Sequence, residues 1–226
     1  MRNFKRGLAL MIACGLAATP VAAQTLRIGM KAAVDGSDPH QSYSPNRNVQ
    51  MPVYESLTFQ NEYLQPGPGL AESWRVVDDN TWEFKLRENV RFHDGSPLTV
   101  EDIAFSMRRA REAAGLRTYG PALRAVTGVE KVDDRTLLIR TSAPTPLLPA
   151  YLTSIMIVRA ALAEGAGEEE FNGGRAAIGT GPYRWVRFNH GADVTLERAP
   201  AYWGPAEPWE RVVYRFIPVD SARIAA

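Results

Sequence analysis

Residues 70–110 restrict the fold of this chain more than any other stretch, because three structural signals follow one another there without a gap. Apolar and charged side chains alternate over Thr81–Leu86, which is the pattern of a strand that buries one face. A second strand-like run, residues 74–77, precedes it, and the Asp-Asp-Asn sequence at 78–80 is typical of a chain reversal. The stretch therefore begins with a predicted antiparallel hairpin.

The end of the same stretch predicts an amphipathic helix that starts after Thr99. Asp102 follows Thr99 by three residues, which is the spacing of a capping box at a helix N-terminus. Ile103, Met107 and Ala110 then recur with helical spacing, so they define the buried stripe. The helix residues that we expect to face water are Arg108, Arg109 and Arg111. Hairpin, turn and capped helix all indicate scaffold without a chemical role.

Elsewhere the chain alternates short strands, turns and short helices, which predicts a mixed α+β fold. Its 16 prolines and 18 glycines are scattered, as in a protein with many short strands. The other predicted elements are strand 25–30, loop 32–46, helix 48–57, hairpin 129–141 with a small sheet of its own, strand 152–158, helix 159–164, loop 168–170, and strands 184–188, 194–198 and 212–217. The aromatic residues of the opening stretch that we expect in the core are Trp74, Trp82, Phe84 and Phe92.

The charge balance gives no reason to expect a nucleic-acid partner, because 26 basic residues oppose 25 acidic ones. The three histidines lie in separate turns, without the spacing of metal ligands, and no nucleophile motif is present. His93 stands beside Asp94 in a turn sequence, so we interpret it as a packing or capping residue. We therefore predict no catalytic residue, no metal and no cofactor. Two alternatives stay open: a secreted hydrolase with convergent groups in a cleft, and a β-rich scaffold module.

The first 23 residues are typical of a secretory signal peptide. A basic segment at 1–6 is followed by an apolar segment at 7–16 and by Val-Ala-Ala at 21–23, which predicts cleavage after Ala23. The apolar segment is too short for a membrane-spanning helix. Cys14, the only cysteine, offers an alternative, because cleavage before it would leave a lipidated N-terminus. The chain is thus expected to be exported.

Several motifs in this sequence resemble the family 5 extracellular solute-binding proteins, the peptide- and nickel-type receptors of bacterial ABC importers. The first group lies within residues 70–110 and reads A-x-x-W, T-W-x-F-x-L-R, F-H-D-G-x-P-L-T and x-E-D-I. The second group reads G-T-G-P-Y at 179–183 and L-x-R-x-P-x-Y-W-G at 196–204, where Ala199 replaces the asparagine usual in the family. Residues 54–57 also match the family's Y-E-x-L stretch.

The resemblance implies a two-lobed protein of the periplasmic binding-protein type (type II, dipeptide-binding-like) that closes on its ligand by hinge motion. Residues 24–226 would form an incomplete N-terminal lobe with a subdomain at about 49–174, and the second lobe would lie beyond residue 226. The implied function is the periplasmic substrate-binding component of an ABC importer, which delivers a small peptide or peptide-like solute to an inner-membrane permease. A non-binding fragment or gene remnant of such a receptor is the alternative.

The resemblance also implies a ligand site in the loop after the first strand, at Tyr43, Ser44, Pro45 and Asn46. Tyr119 is a further candidate, because an aromatic residue after the capped helix reaches the ligand in peptide-binding relatives. The solute is not identified by the sequence: a dipeptide, an oligopeptide, a glutathione-like compound and a nickel chelate are all compatible. A binding protein of this kind is neither an enzyme nor membrane-spanning.

Overall fold

The computed structural model describes residues 24–41, 44–113 and 118–226. In chain order its strands and helices are β1 Thr25–Met30, α1 Ser44–Gln50, β2 Thr58–Gln60, β3 Pro66–Pro68, β4 Ala71–Asp78, β5 Thr81–Leu86, α2 Val100–Glu112, β6 Val126–Lys131, β7 Thr136–Thr141, α3 Leu148–Leu152, α4 Ala160–Ala163, α5 Glu168–Asn172, β8 Tyr183–Asn189, β9 Asp193–Arg198, β10 Arg211–Phe216 and α6 Asp220–Ala225. A 3-10 turn covers Gly120–Leu123. The predicted mixed α+β composition is confirmed. None of the helices in these ranges combines the length and the apolarity needed to cross a bilayer.

The strands form two four-stranded sheets and one short hairpin, β2–β3. The first sheet has the order β1-β10-β9-β8, with β1 parallel to β10 and the other neighbours antiparallel. Side chains alternate between the two faces of a strand. One face of this sheet carries Leu26, Ile28, Leu196 and Val212, which pack into one of two hydrophobic clusters.

The second sheet joins the two predicted hairpins in the order β4-β5-β7-β6. β5 pairs antiparallel with β7 along their whole lengths, so the prediction of a separate sheet for the second hairpin is wrong. The reason lies in the residues that the hairpins bury. Phe84, Leu137 and Ile139 have no exposed surface and share the other hydrophobic cluster. Because the hairpins pair side by side, the buried side chains of both pack into a single hydrophobic core.

Helix α2 packs its apolar stripe into the cluster of the second sheet, and its N-terminus is capped as predicted. The Thr99 hydroxyl accepts a hydrogen bond from the Asp102 N–H at 3.3 Å, and the Asp102 carboxylate accepts one from the Thr99 N–H at 3.0 Å. The second carboxylate oxygen of Asp102 accepts from the Ala160 N–H at 2.9 Å. One side chain therefore fixes the starts of both α2 and α4.

Three segments differ from their predictions, and the first is the helix expected at 48–57. The observed helix is α1, Ser44–Gln50, which ends before Pro52. The carbonyls of Pro52 and Val53 accept hydrogen bonds from backbone N–H groups of residues 181–183, at 2.9 and 3.0 Å. These long-range bonds use the groups that a continuing helix would need. Helical periodicity within one segment could not reveal them.

The other two segments are 152–158, predicted as a strand, and 168–170, predicted as a loop. The first completes α3 and then runs extended, with an isolated bridge between Ser56 and Met156. The second opens helix α5. Glu170 accepts a hydrogen bond from the Gly167 N–H at 2.9 Å, and negative charge at a helix N-terminus is favourable. Three consecutive glutamates thus start a helix rather than forming a solvated loop.

The aromatic residues expected in the core divide into two pairs. Phe84 and Phe92 are buried, as predicted. Trp74 and Trp82 are half-buried and pack against the core from its edge. These two therefore belong to the core only as partly buried side chains at its margin.

Candidate functional site

The loop after β1 and the segment after α2 meet in the structure. Gln41 and Thr118 form an isolated antiparallel bridge, although they are far apart in sequence. The bridge brings the loop that leads into α1 next to the segment that carries Tyr119. Tyr43, one of the predicted ligand contacts, lies outside the described residues.

The other predicted site residues differ in the accessibility of their side chains. Ser44 is exposed, Pro45 is half-buried, and Tyr119 is half-buried against the core of the second sheet. Asn46 is buried at 1% exposure. Its amide donates a hydrogen bond to the Asp35 carboxylate, and its oxygen accepts one from the Asp35 N–H at 2.9 Å. These bonds place the Asn46 side chain behind the loop as a support, and its contact with a ligand stays a prediction.

A largely buried ion pair anchors the same loop to helix α2. The two terminal nitrogens of Arg109 contact the two carboxylate oxygens of Asp38 at 2.8 and 2.7 Å, and the side chains are 19% and 13% exposed. Burial alone would raise the pKa of Asp38. The hydrogen bonds and charge of Arg109 outweigh it and hold that pKa below its ordinary value. The prediction that Arg109 faces water is therefore wrong.

His40 completes this anchor. Its ring has no exposed surface, its Nδ1 accepts a hydrogen bond from Arg109 at 2.9 Å, and its Nε2 donates one to the Met156 carbonyl at 2.9 Å. Burial and then the charge of Arg109 lower the pKa of His40 to about 4, so the ring is neutral at pH 7. Arg109 also lies over the ring of Phe171, 4.7 Å from its centroid. One guanidinium group thus connects the loop, α2 and α5.

Helix α2 carries Arg109 on a polar stripe that the apolar spacing does not reveal. Asp102, Ser106 and Arg109 are four and three residues apart, so they share one side of the helix. Asp102 and Ser106 are buried, and the Ser106 hydroxyl accepts a hydrogen bond from the Val158 N–H at 3.0 Å. The helical spacing of these polar residues was the sequence signal that could have identified Arg109 as an interior residue.

Three of the sequence motifs converge on the carboxylate of Glu55. Thr180 and Trp203 donate hydrogen bonds to it at 2.8 Å, and the Tyr202 hydroxyl donates one at 3.1 Å. Burial raises the pKa of Glu55 above its ordinary value, although these three hydrogen bonds favour the charged form. The cluster borders a cavity of about 310 Å³. Glu55 was not singled out from the sequence, although it belongs to the Y-E-x-L stretch.

Glycine is required where the G-T-G-P-Y motif meets the segment that follows α1. A Cβ atom at Gly179 would lie 2.0 Å from the Val53 carbonyl oxygen, and one at Gly181 would lie 2.5 Å from that of Pro52. Such separations are far below van der Waals contact, so only glycine lets the two backbones approach this closely. The motif therefore serves a packing contact.

His93 belongs to this junction and not to a catalytic pair. Its Nε2 donates a hydrogen bond to the Gly181 carbonyl at 2.9 Å, and its Nδ1 accepts one from the Gly179 N–H at 3.4 Å. The neighbouring Asp94 accepts from the Ser96 hydroxyl at 2.7 Å and pairs with Arg159 at 2.9 Å. The prediction that His93 is a packing residue is confirmed.

A comparison with known protein families shows to which family this chain belongs. Residues 65–226 match the sequence model of the bacterial extracellular solute-binding proteins, family 5 Middle. The chain belongs to this family. The resemblance drawn from the motifs at 70–110 and 179–204 is thereby confirmed.

Three relatives show how much of a family 5 protein the chain represents. The periplasmic oligopeptide-binding protein OppA of Escherichia coli K12 is 29% identical over 204 residues, which cover 81% of this chain and 37% of OppA. Haemophilus influenzae OppA in complex with RPPGFSPFR has a TM-score of 0.80 at 25% identity and covers 90% of this chain and 44% of its own. MoaA of Agrobacterium tumefaciens R10, in complex with mannopinic acid, has a TM-score of 0.80 at 26% identity, with 91% and 43% coverage.

These relatives confirm the predicted fold class. The chain has the mixed α and β architecture of a periplasmic binding protein and spans less than half the length of the relatives it matches. The names of these relatives describe binding proteins rather than enzymes.

Proposed function

We propose that this chain is part of the substrate-binding component of an ABC importer, and that the whole protein binds a small peptide or a peptide-like solute. The observation that carries the proposal is the meeting of two segments at the Gln41–Thr118 bridge. There a loop with the exposed residues Gln41 and Ser44 lies beside the segment that carries Tyr119. The E. coli relative is named an oligopeptide-binding protein, and the Haemophilus relative holds a peptide.

The ligand contacts that we propose are Tyr43, Ser44, Pro45 and Tyr119, with Asn46 as the support behind them. Ser44 offers an exposed hydroxyl, and the half-buried ring of Tyr119 offers an apolar face together with a phenolic group. The buried pair Asp38–Arg109 holds the loop in place before the ligand arrives. Such preorganisation reduces the entropy that binding would otherwise lose.

We propose that the protein acts in the periplasm, by binding alone, and presents its solute to inner-membrane permease subunits. Export would use residues 1–23 as a cleaved signal peptide, with lipidation at Cys14 as the alternative. The relatives with printed locations are periplasmic. The mass of the secreted protein distinguishes cleavage after Ala23 from a lipidated Cys14.

We also propose that residues 24–226 form an N-terminal lobe with a subdomain at about 49–174. The two hydrophobic clusters support a subdomain inside this range, although Val49, Phe171 and other residues of 49–174 pack in the cluster of the first sheet. One contains buried residues from Leu57 to Ile157 only, and it includes the second sheet and α2. The other includes residues of the first sheet, from both ends of the chain.

Calorimetric titration of the protein expressed from its complete gene tests the proposed site. The panel contains dipeptides, longer peptides and mannopinic acid, because one relative holds this non-peptide solute. We expect saturable binding of a peptide with a Kd of about 1 μM or tighter. Ser44→Trp fills the accessible side of the loop and should weaken binding by at least about tenfold, which is about 1.4 kcal/mol. Ser221→Trp, at an exposed position in α6, is the matched control.

Two outcomes would contradict different parts of the proposal. If the folded protein binds no peptide while it binds mannopinic acid, the solute class is wrong. If peptides bind and Ser44→Trp has no more effect than Ser221→Trp, the site has been misplaced. Tyr119→Ala beside Tyr151→Ala, an exposed tyrosine of α3, repeats the comparison at the second segment.

A further inference from the structure

The chain between β1 and α1 is partly buried although residues 31–40 contain neither a helix nor a strand. Ser37 and His40 in this stretch have no exposed surface. Buried backbone N–H and C=O groups need hydrogen-bond partners, and a segment without regular structure must find them elsewhere in the chain. The partners of residues 35–40 therefore show what fixes the shape of this stretch.

Three consecutive carbonyl groups of the stretch bond to side chains of residues 50–54. The Gln50 amide donates hydrogen bonds to the carbonyls of Gly36 and Asp38, at 3.3 and 2.9 Å. The Tyr54 hydroxyl donates one to the carbonyl between them, that of Ser37, at 3.2 Å. Gln50 and Tyr54 are both buried. The end of α1 and the segment after it thus hold the acceptors of this stretch.

Helix α5 supplies the acceptor for the donors of Ser37. Asn172, the last residue of α5, accepts two hydrogen bonds with one side-chain oxygen. The Ser37 N–H donates one at 2.9 Å, and the Ser37 hydroxyl donates the other at 3.1 Å, across 135 positions of sequence. Because Ser37 is buried, both donors would lose their partner if this oxygen were removed, which is unfavourable.

The same helix also reaches the stretch through Arg109. The guanidinium that pairs with Asp38 lies over the ring of Phe171 in α5, 4.7 Å from its centroid. One of its nitrogens donates a hydrogen bond to the carbonyl of Ala166, just before α5, at 3.4 Å. Residues 166–172 therefore contact the stretch twice, directly through Asn172 and indirectly through the ion pair.

A tight turn connects these contacts to the loop at 41–46. The Gln41 N–H donates a hydrogen bond to the Asp38 carbonyl at 3.3 Å, and Gln41 forms the bridge with Thr118. The place of Asp38 thus determines where the loop meets the segment that carries Tyr119. Asp38 is in turn held between Gln50 and Arg109.

We propose that α5 is a positioning element of the solute site and that Asn172 is the positioning residue through which it acts. This inference rests on the proposed function, because it assigns the loop at 41–46 to the solute. Asn172 keeps the stretch at 36–38 in its binding shape before the solute arrives. Without that acceptor, only a fraction of the free molecules holds this shape, and the apparent affinity falls by that fraction.

Stopped-flow kinetics on the protein expressed from its complete gene test the proposal. The probes are the peptide RPPGFSPFR and mannopinic acid, which two relatives hold. Asn172→Ala should weaken binding about fivefold or more, because a buried donor pair loses its acceptor. The loss should lie in the association rate constant, with the dissociation rate constant unchanged, because the bound complex keeps its solute contacts.

Three further variants separate positioning from a general loss of structure. Asn172→Asp keeps an oxygen for both donors of Ser37 and gives up only the 3.4 Å bond from its amide to Glu168, so it should bind within about twofold of the wild-type protein. Glu169→Ala, at an exposed position of α5, is the control and should leave both rate constants unchanged. Gln50→Met removes the donor of two carbonyl bonds and should lower the association rate constant in the same way.

Hydrogen exchange of the solute-free protein provides a readout that does not require binding. The Ser37 amide should exchange at least about tenfold faster in Asn172→Ala than in the wild-type protein, and it should stay protected in Asn172→Asp. If neither probe binds the folded wild-type protein, the proposed function fails, while the exchange of Ser37 still supports or overturns the role of Asn172 in holding the stretch.

Three results would overturn the positioning role. The first is unchanged exchange of the Ser37 amide in Asn172→Ala. The second is a loss of affinity that lies wholly in the dissociation rate constant, which would place Asn172 in contact with the solute. The third is equally weak binding by Asn172→Ala and Asn172→Asp, which would show that the acceptor oxygen is not what the site requires.

Discussion

Residues 71–141 and residues 31–57 are held in place by opposite means. The first region contains the second sheet and α2, whose partners lie near them in sequence and whose core is apolar. The second region has one short helix among its described residues and is fixed by contacts to distant residues, such as Arg109, Met156 and Gly181. A sheet with many small apolar contacts tolerates single losses. A loop held by a few buried polar groups depends on each of them.

The largest expected effect is the loss of the buried guanidinium. Arg109→Met keeps an unbranched apolar stem but removes the guanidinium, which leaves Asp38 and His40 buried without their shared partner. We expect the free energy of unfolding to fall by roughly 3–5 kcal/mol, as for other buried pairs that lose one member. Urea unfolding at pH 7 measures this loss of stability.

The neighbouring arginine provides the control for this change. Arg108→Met alters an exposed residue whose guanidinium lies over the Phe105 ring, 5.4 Å from its centroid. Its effect should stay below about 0.5 kcal/mol, the usual range for surface substitutions. Equal effects of the two variants would show that the loop does not depend on its ion pair.

Two glycines sharpen the same comparison, one packed against the second region and one within the first. Gly179→Ala places a methyl group 2.0 Å from the Val53 carbonyl oxygen, whereas Gly128→Ala, in β6, meets nothing within 4 Å. We expect a loss of about 3 kcal/mol for the first variant, because the backbones must separate. The second should remain within about 0.5 kcal/mol. Thermal and urea unfolding of the two variants measure these losses. A Gly179→Ala variant as stable as the wild-type protein would disprove the close approach of the two backbones.

The smallest expected effect is a dependence on pH that passes through His40. Its pKa is about 4 in the folded protein and 6.5 in an ordinary environment, so the unfolded chain takes up the proton first as pH falls. The neutral His40 ring makes its full contribution to the free energy of unfolding above pH 6.5. This contribution is lost progressively as the pH falls towards 4. Between pH 7 and pH 5 the loss is about 2 kcal/mol.

The substitution His40→Gln isolates this contribution, because glutamine does not titrate. The variant is less stable than the wild-type protein at pH 7, but the difference between the two should shrink by about 2 kcal/mol at pH 5. If the stabilities of the wild-type protein and the variant change with pH in parallel, His40 has the same charge in the folded and unfolded states, and the predicted pKa difference is wrong.

The sequence allowed prediction of the first region much better than of the second. The hairpin at Thr81–Leu86 and the cap at Thr99 follow from local periodicity and spacing, and both are confirmed. The end of α1 depends on hydrogen bonds with residues 181–183, which no local pattern contains. For the candidate site, the resemblance pointed to the loop and to Tyr119. The buried position of Arg109 does not follow from the apolar spacing of α2, because it depends on Asp38 and His40 in a distant loop.

The pairing of β1 with β10 has a consequence for the order in which the chain can fold. The paired residues Thr25 and Arg211 lie more than 180 positions apart, whereas β4 to β7 are all contained within residues 71–141. Closing a longer loop costs more chain entropy, and contacts between distant residues form more slowly. The second sheet can therefore assemble early, while β1 must wait until β10 has been synthesised. During this interval its unpaired edge is open to intermolecular strand pairing, so aggregation during synthesis should begin at β1.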